Sequence, residues 1–301
     1  MQMDWVLVAV TGAADARLSE LTSTSVSAIG GAPGNWMSLS DTGPLKASAL
    51  RFSAAGEGLA SLRAALAAAG PIDAAILPAD RFGKKRLLIS DMDSTIIGQE
   101  CIDEIADAVG LKARISEITE RAMRGELDFE AALTERVAML KGLPLHALAR
   151  TLEERITLNP GARTLIATMK AHGAATLLVS GGFTYFTSRV AALAGFESHQ
   201  GNTLLDDGAA LTGEVGQPIL GRVAKRTALL EAVAALGAAP EDAIAMGDGA
   251  NDLDMIRAAG LGVAYKAKPV VAAEAAGAIG HTDLTAALFF QGYKASEFIA
   301  G

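Results

Sequence analysis

Arg86-Leu87-Leu88-Ile89-Ser90-Asp91-Met92-Asp93-Ser94-Thr95 runs from a short apolar segment into two aspartates one residue apart. The apolar segment reads as a buried strand, and its polar end as a strand terminus. Alternation along extended backbone points the Asp91 and Asp93 carboxylates the same way. Two carboxylates about 4 Å apart repel by about 4 kcal/mol at an effective dielectric of 20. Either one holds a proton or a cation is shared between them. Both outcomes are chemically useful, because a cation-bound carboxylate can attack phosphorus while a neighbouring acid protonates the leaving oxygen. Taken alone, the pair could equally cap the next helix.

The same pattern recurs downstream. Ala175-Thr176-Leu177-Leu178-Val179 runs into Ser180-Gly181-Gly182-Phe183, Ala243-Ile244-Ala245-Met246 into Gly247-Asp248-Gly249-Ala250-Asn251-Asp252, and Gly262-Val263-Ala264 forms a fourth strand. Apolar strands separated by helices indicate an α/β fold with a doubly wound parallel sheet covered on both faces. Its ligand site lies at the carboxyl ends of the strands. Ser180 and the glycines after it suit close approach of an anion to backbone N–H groups. Asp248 adds a third acidic strand end, so Asp91, Asp93 and Asp248 form an oxygen-rich set suited to Mg²⁺. Asp252 is expected to orient its neighbours. Lys225 would supply a point charge near transferring phosphoryl oxygens.

Two insertions interrupt the strand–helix alternation. Residues from about 100 to 160 are helical in character and read as a cap, with Asn159-Pro160 as the start of the next helix. Leu204 to Leu211 reads as a hairpin turning at Asp207-Gly208. On the cap, Phe129, Leu133 and Arg136 share one helix face. An arginine on an apolar stripe either snorkels to solvent or meets a planar carboxylate.

These segments, in this order, resemble the haloacid dehalogenase superfamily over roughly residues 86–285. A closer resemblance, to the phosphoserine phosphatases, rests on Asp91 to Thr95 with Glu100 and Ile102 to Ala106, on Ile118 to Phe129, and on Gly247 to Asp252. It implies a Mg²⁺-dependent hydrolase that takes phosphoserine to serine and phosphate through an aspartyl-phosphate on Asp91, the last step of serine biosynthesis. It also implies site roles. Asp93 acts as acid and base, Glu100 holds the substrate ammonium and Arg136 its carboxylate. Met123 and Phe129 line the cap side, and Ser180, Gly181, Lys225 and Asn251 surround or support the phosphate. Alternatives left open are another small phosphomonoester, transfer to an alcohol, or a non-catalytic amino-acid sensor.

Residues 1–80 read as a separate α+β unit ahead of a catalytic unit at 86–301. Trp5 to Val10 and Ala74 to Leu77 are its strands, Glu57 to Ala69 its helix, Gly30 to Gly34 a loop, and Pro78 to Lys85 a linker. Its length resembles the ACT type of ligand-sensing domain that some bacterial phosphoserine phosphatases carry, so amino-acid sensing or a homodimer is expected there. Lys84-Lys85-Arg86 reads as a solvated stretch.

The remaining features bound the function class. Of 301 residues, half are apolar, enough for a substantial core, and the net charge of −8 argues against nucleic acid as a partner. The single cysteine, Cys101, excludes an intrachain disulfide and fits a reducing compartment. It reads as a buried apolar residue. No secretory or membrane-spanning stretch is evident, so a cytoplasmic enzyme with a small-molecule substrate is expected.

Overall fold

The computed structural model describes residues 2–12, 18–41, 43–123 and 128–301. Its strands are β1 (Gln2–Thr11), β2 (Ala32–Ser40), β3 (Lys46–Ala55), β4 (Asp73–Pro78), β5 (Leu87–Ser90), β6 (Ala175–Phe183), β7 (Ser198–Asn202), β8 (Leu204–Asp206), β9 (Leu211–Val215), β10 (Ala243–Gly247), β11 (Leu261–Tyr265) and β12 (Gly277–Ile279). Ten of them form one sheet in the order β2-β3-β1-β4-β12-β11-β10-β5-β6-β7, while β8 pairs only with β9. From β12 to β7 all pairing is parallel.

Alternation along the central strands buries both faces. Leu87, Ile89, Leu177 and Ala245 pack on one side against Ala228, Leu229 and Val233. Leu88, Leu178, Ile244 and Met246 turn to the other side, where Leu165, Ile166, Phe186 and Val190 cover them. Apolar residues at consecutive positions are what a two-faced parallel sheet requires. The chain leaves β5 for β6 and β7, then crosses back to β10, β11 and β12 on the far side of β5. Strand order therefore reverses between β5 and β10, and a crevice opens at their carboxyl ends.

The inserted cap is helical, as the sequence indicates. The helices before it are α1 (Leu18–Ala28) and α2 (Leu59–Ala68). The cap consists of α3 (Cys101–Ala108), α4 (Lys112–Met123), α5 (Phe129–Ala138) and α6 (Leu145–Arg155). Asp128 caps α5 by accepting from the Ala131 N–H at 2.7 Å. The β8–β9 hairpin turns at Asp207-Gly208, with Gly208 at φ 90°. It backs the cap through Gly142 N–H to Leu211 O and Leu145 N–H to Ala209 O.

The N-terminal segment follows β1-α1-β2-β3-α2-β4, the order of a ferredoxin-like split β-α-β unit. One face of its sheet packs Leu7, Leu50, Phe52 and Ile76 under Val26, Leu62 and Leu66. The other face, with Val6, Val8, Val10 and Leu77, joins the main core beside Leu288, Phe289 and Phe290. Antiparallel pairing of β4 with β12 makes its sheet continuous with the central one. Asp73 reinforces this junction by accepting from the backbone N–H groups of Gly280, His281 and Thr282.

Three local expectations are corrected. Gly30 to Gly34 is not all loop, because Ala32 opens β2. Pro33 is tolerated since β2 is the outer strand, and the register shifts between Pro33 and Trp36. Lys84 to Arg86 is not uniformly solvated. Lys85 is buried, and its Nζ donates to Arg81 O (2.7 Å) and Glu241 O (2.8 Å). Burial lowers the Lys85 pKa, and these carbonyls compensate its lost hydration. Asn159 is not a helix cap. The next helix, α7 (Ala162–Ala171), begins behind Gly161, and Asn159 Nδ2 donates to Thr95 O and Ile97 O instead. α8 (Thr184–Ala194) and α9 (Arg222–Ala235) complete the layers used below.

Candidate active site

Asp91 leaves β5 at the crevice, and its N–H still pairs with Met246 O. Thr95 follows in the same loop and donates its hydroxyl to Asp248 Oδ1 (3.4 Å), across the strand reversal. Ser94, between them, has left-handed backbone with φ 54°. Such a conformation is uncommon for a non-glycine residue and concentrates at functional turns.

The carboxylates of Asp91, Asp248 and Asp252 converge, each offering an oxygen within 4.8 Å of the others. Lys225, on the first turn of α9 and 1% exposed, lies beneath them. Its Nζ is 2.7 Å from Asp91 Oδ1 and 2.6 Å from Asp252 Oδ1. Burial opposes the Lys225 charge, yet Asp91 and Asp252 overcome it and raise its pKa. Burial, and then the Asp252 charge, push the Asp91 carboxyl well above the usual range, while Lys225 pulls it down. The same two causes bring Asp248 to about 6. One ammonium beneath two buried carboxylates and the half-buried Asp248 leaves negative charge uncompensated. A divalent cation fits this donor set, with Asp91 and Asp248 open to hold it.

Asp93 stands apart from that group. Its Oδ1 accepts from Cys101 N–H (2.9 Å) and its Oδ2 from Ser180 Oγ (3.1 Å). Burial raises its pKa, while the hydrogen bonds from Cys101 and Ser180 lower it. Asp252 is likewise engaged, accepting from Lys225 and from Gly249 N–H (3.0 Å). Its two oxygens thus hold the Lys225 ammonium and the Gly249 N–H.

Ser180 to Phe183 is not a turn outside the strand, since β6 continues through it and Phe183 pairs with Asn202. The glycines are required by close approach. A Cβ on Gly182 would lie 2.8 Å from Asp93 Oδ2, and one on Gly181 would lie 3.0 Å from the Phe129 ring. Buried Asn202 locks this segment, donating to Gly181 O (2.8 Å) and Leu220 O (3.2 Å) and accepting from Leu220 N–H. It ties the serine–glycine strand end to the segment that leads into α9 and Lys225.

A cavity of about 640 Å³ opens between these strand ends and the cap. Of the residues singled out in the sequence, Asp91, Asp93, Glu100, Phe129, Arg136, Ser180, Gly181, Asp248 and Asn251 line it. Lys225 lies behind Asp91, and the side chain of Met123 lies outside the described residues. Glu100 accepts from Ser94 Oγ at 2.6 Å, and burial followed by the Asp93 charge brings it to about 7. Burial lowers the Arg136 pKa, while Asp103 and Glu100 raise it. Arg136 Nε donates to Ala132 O, and no carboxylate forms an ion pair with it among the described residues.

The sequence reading missed Asn202, Asp103 and Lys268. Asp103 lies in the Ile102 to Ala106 stretch without a role of its own there, and Asn202 carries no motif signal. Lys268 does have one, because it follows the fourth strand end and the parallel-sheet rule places such positions at the site. Among the described residues, no helix is long and apolar enough to cross a membrane.

Comparison with known proteins agrees with this architecture. A family model described as haloacid dehalogenase-like hydrolase matches residues 88–257. A phosphoserine phosphatase of Albidiferax ferrireducens is 49% identical over 209 residues, covering 68% of this chain and 88% of the relative. The crystal structure of a haloacid dehalogenase family hydrolase of Salmonella enterica subsp. enterica serovar Typhi superposes with a TM-score of 0.81 at 32% identity, over 96% of this chain and 98% of that one. A probable phosphoserine phosphatase from Vibrio cholerae, in unliganded form, gives a TM-score of 0.74 at 29% identity, over 96% and 86%. The chain belongs to the haloacid dehalogenase-like hydrolases and stands among them with the phosphoserine phosphatases.

Proposed function

We propose that the chain is a phosphoserine phosphatase that hydrolyses O-phosphoserine to serine and phosphate through an aspartyl-phosphate on Asp91. The observation that carries this reading is one cavity holding two kinds of chemistry. At its floor is the Asp91 carboxylate beside Lys225 and Asp248. On its walls are Glu100 and Arg136, a carboxylate and a guanidinium able to meet the ammonium and carboxylate of an amino acid.

Asp91 Oδ attacks phosphorus in line, and the bond from phosphorus to the serine oxygen breaks. Asp93 gives its proton to that oxygen and serine leaves. Asp93 then takes a proton from water, whose oxygen attacks phosphorus. The bond between phosphorus and Asp91 breaks, restoring the carboxylate and releasing phosphate. Ser180 and the backbone near Gly181 donate to the equatorial oxygens once phosphate enters, and Lys225 sets the field beneath them. Mg²⁺, held by Asp91 and Asp248, supplies neutralisation of the phosphate charge when bound. The cap closes over the substrate and excludes bulk water.

The direct test is phosphate release from L-phosphoserine with Mg²⁺, beside an aryl phosphate. Preferential turnover of phosphoserine is expected. Cleavage of the aryl ester alone would keep the chemistry and remove the substrate assignment.

A pH dependence follows from Glu100. With its carboxyl raised to about 7, Glu100 is increasingly protonated below that pH and loses its charge for the ammonium. The kcat/KM for phosphoserine should therefore fall as pH drops through about 7. The aryl phosphate shares the phosphate ionisation near pH 6 but lacks the ammonium, so it should not show this limb. Profiles of both substrates, for wild type and Glu100→Gln, check it. An identical limb in both substrates would remove Glu100 from ammonium recognition.

A further inference from the structure

Among the described residues, the carboxylates lining the cavity outnumber its cationic side chains. Among these residues, five acidic side chains, from Asp91 to Asp248, line it beside the two cationic ones of Arg136 and Lys268. The chain itself carries a net charge of −8. Lys225 lies beneath the floor and is occupied by Asp91 and Asp252. Arg136 is largely buried on the cap. Before a cation is bound, a phosphate dianion approaching from solvent meets an opening rich in carboxylates.

Lys268 is the exposed exception. It follows β11, the parallel neighbour of β10, so it stands on the same sheet edge as Asp248 and Asn251. The chain leaves β11 through Lys266, whose left-handed backbone (φ 43°) makes the bend. The Lys266 ammonium lies over the Tyr265 ring, 5.3 Å from its centroid. Lys268, by contrast, makes no side-chain hydrogen bond or ion pair among the described residues while lining the cavity. A surface lysine normally finds a carboxylate or faces open solvent. This one stands uncommitted at a negatively charged opening.

We propose that Lys268 recruits the phosphate group at the mouth of the cavity and so offsets the field of its carboxylates. The inference rests on the phosphatase reading, but not on phosphoserine as the substrate. A charge at the mouth acts on encounter and affinity more than on the bond-breaking step, and salt screens it. It reads the phosphate rather than the amino-acid end, so every phosphomonoester should feel it alike.

The experiment compares Lys268→Gln, Lys268→Glu and Lys268→Arg with wild type, on L-phosphoserine and on an aryl phosphate, across ionic strength. Lys268→Gln should lower kcat/KM about five- to tenfold at low salt. The factor should be the same for both substrates, with kcat within about twofold. Lys268→Glu should lose more, Lys268→Arg should retain function, and the gap should close as salt approaches about 0.5 M. Unchanged kcat/KM and salt slope in Lys268→Gln would overturn the proposal. So would a loss confined to phosphoserine, or a fall in kcat at constant KM. If wild type cleaves the aryl ester but not phosphoserine, the substrate reading fails while the aryl arm still tests Lys268.

Discussion

Asp91→Asn is expected to lower hydrolysis of phosphoserine and of aryl phosphates alike by roughly 10⁴- to 10⁶-fold, the scale seen when a covalent nucleophile is removed. The amide keeps the shape of the side chain and loses the anionic oxygen that forms the bond to phosphorus. Loss of the fold should not contribute. Lys225 keeps its 2.6 Å contact to Asp252 after the change, so no buried ammonium is left without a partner. Asp248 and Asp252 lose a nearby negative charge, which relieves a repulsion. The melting temperature should therefore match or exceed that of wild type. Residual turnover within about tenfold of wild type, on either substrate, would show that another group attacks phosphorus.

The site and the fold were legible in the sequence to different depths, for physical reasons. Asp91, Asp93, Ser180 and Asp248 stood out because a two-faced parallel sheet needs apolar strands, and polar residues at their ends contrast with them. Lys225, on a helix, was singled out only because phosphoryl chemistry needs a point charge. The helical cap was visible from its periodicity. The N-terminal segment was only half legible. β2 contains Pro33 and Gly34, and β3 is rich in alanine and serine, so neither has the β-branched alternation that marks a strand. α1 is crowded with serine and threonine, which compete for backbone hydrogen bonds. Lys85 shows another limit. Its burial depends on carbonyls of Arg81 and Glu241, the latter supplied from 156 residues away, and no local pattern records that. Asn202 was illegible for the same reason, as its partners are backbone atoms at Gly181 and Leu220.

The division of labour between Asp93 and Asp248 also required coordinates. Spacing alone put Asp91, Asp93 and Asp248 in one ligand set. The hydrogen bonds from Cys101 and Ser180 give the Asp93 carboxylate partners of its own, and on that ground it serves as the acid in the proposed mechanism. Two nearby carboxylates with different partners are the arrangement that separates acid from nucleophile at one pH.

Arg136→Ala should separate recognition of the amino acid from phosphoryl chemistry. Of its five N–H donors, Nε is used by Ala132 O, and no carboxylate pairs with the guanidinium among the described residues. Burial lowers its pKa, so the fold holds a partly desolvated cation whose partner must come from elsewhere. A substrate carboxylate would supply that partner with bidentate geometry. Truncating one side of a buried, hydrogen-bonded charge pair costs about 2–5 kcal/mol. The expected fall in kcat/KM for phosphoserine is therefore about 10²- to 10³-fold, whereas an aryl phosphate with no carboxylate should change only a few-fold. Lysine at this position should restore little, since it offers a point charge in place of the planar fork. Thermal stability should hold, because alanine removes a desolvated charge that forms no ion pair within the protein. Equal losses on the two substrates would place Arg136 at the phosphoryl group or in the cap's packing, and the amino-acid end of the cavity would then need a different reader.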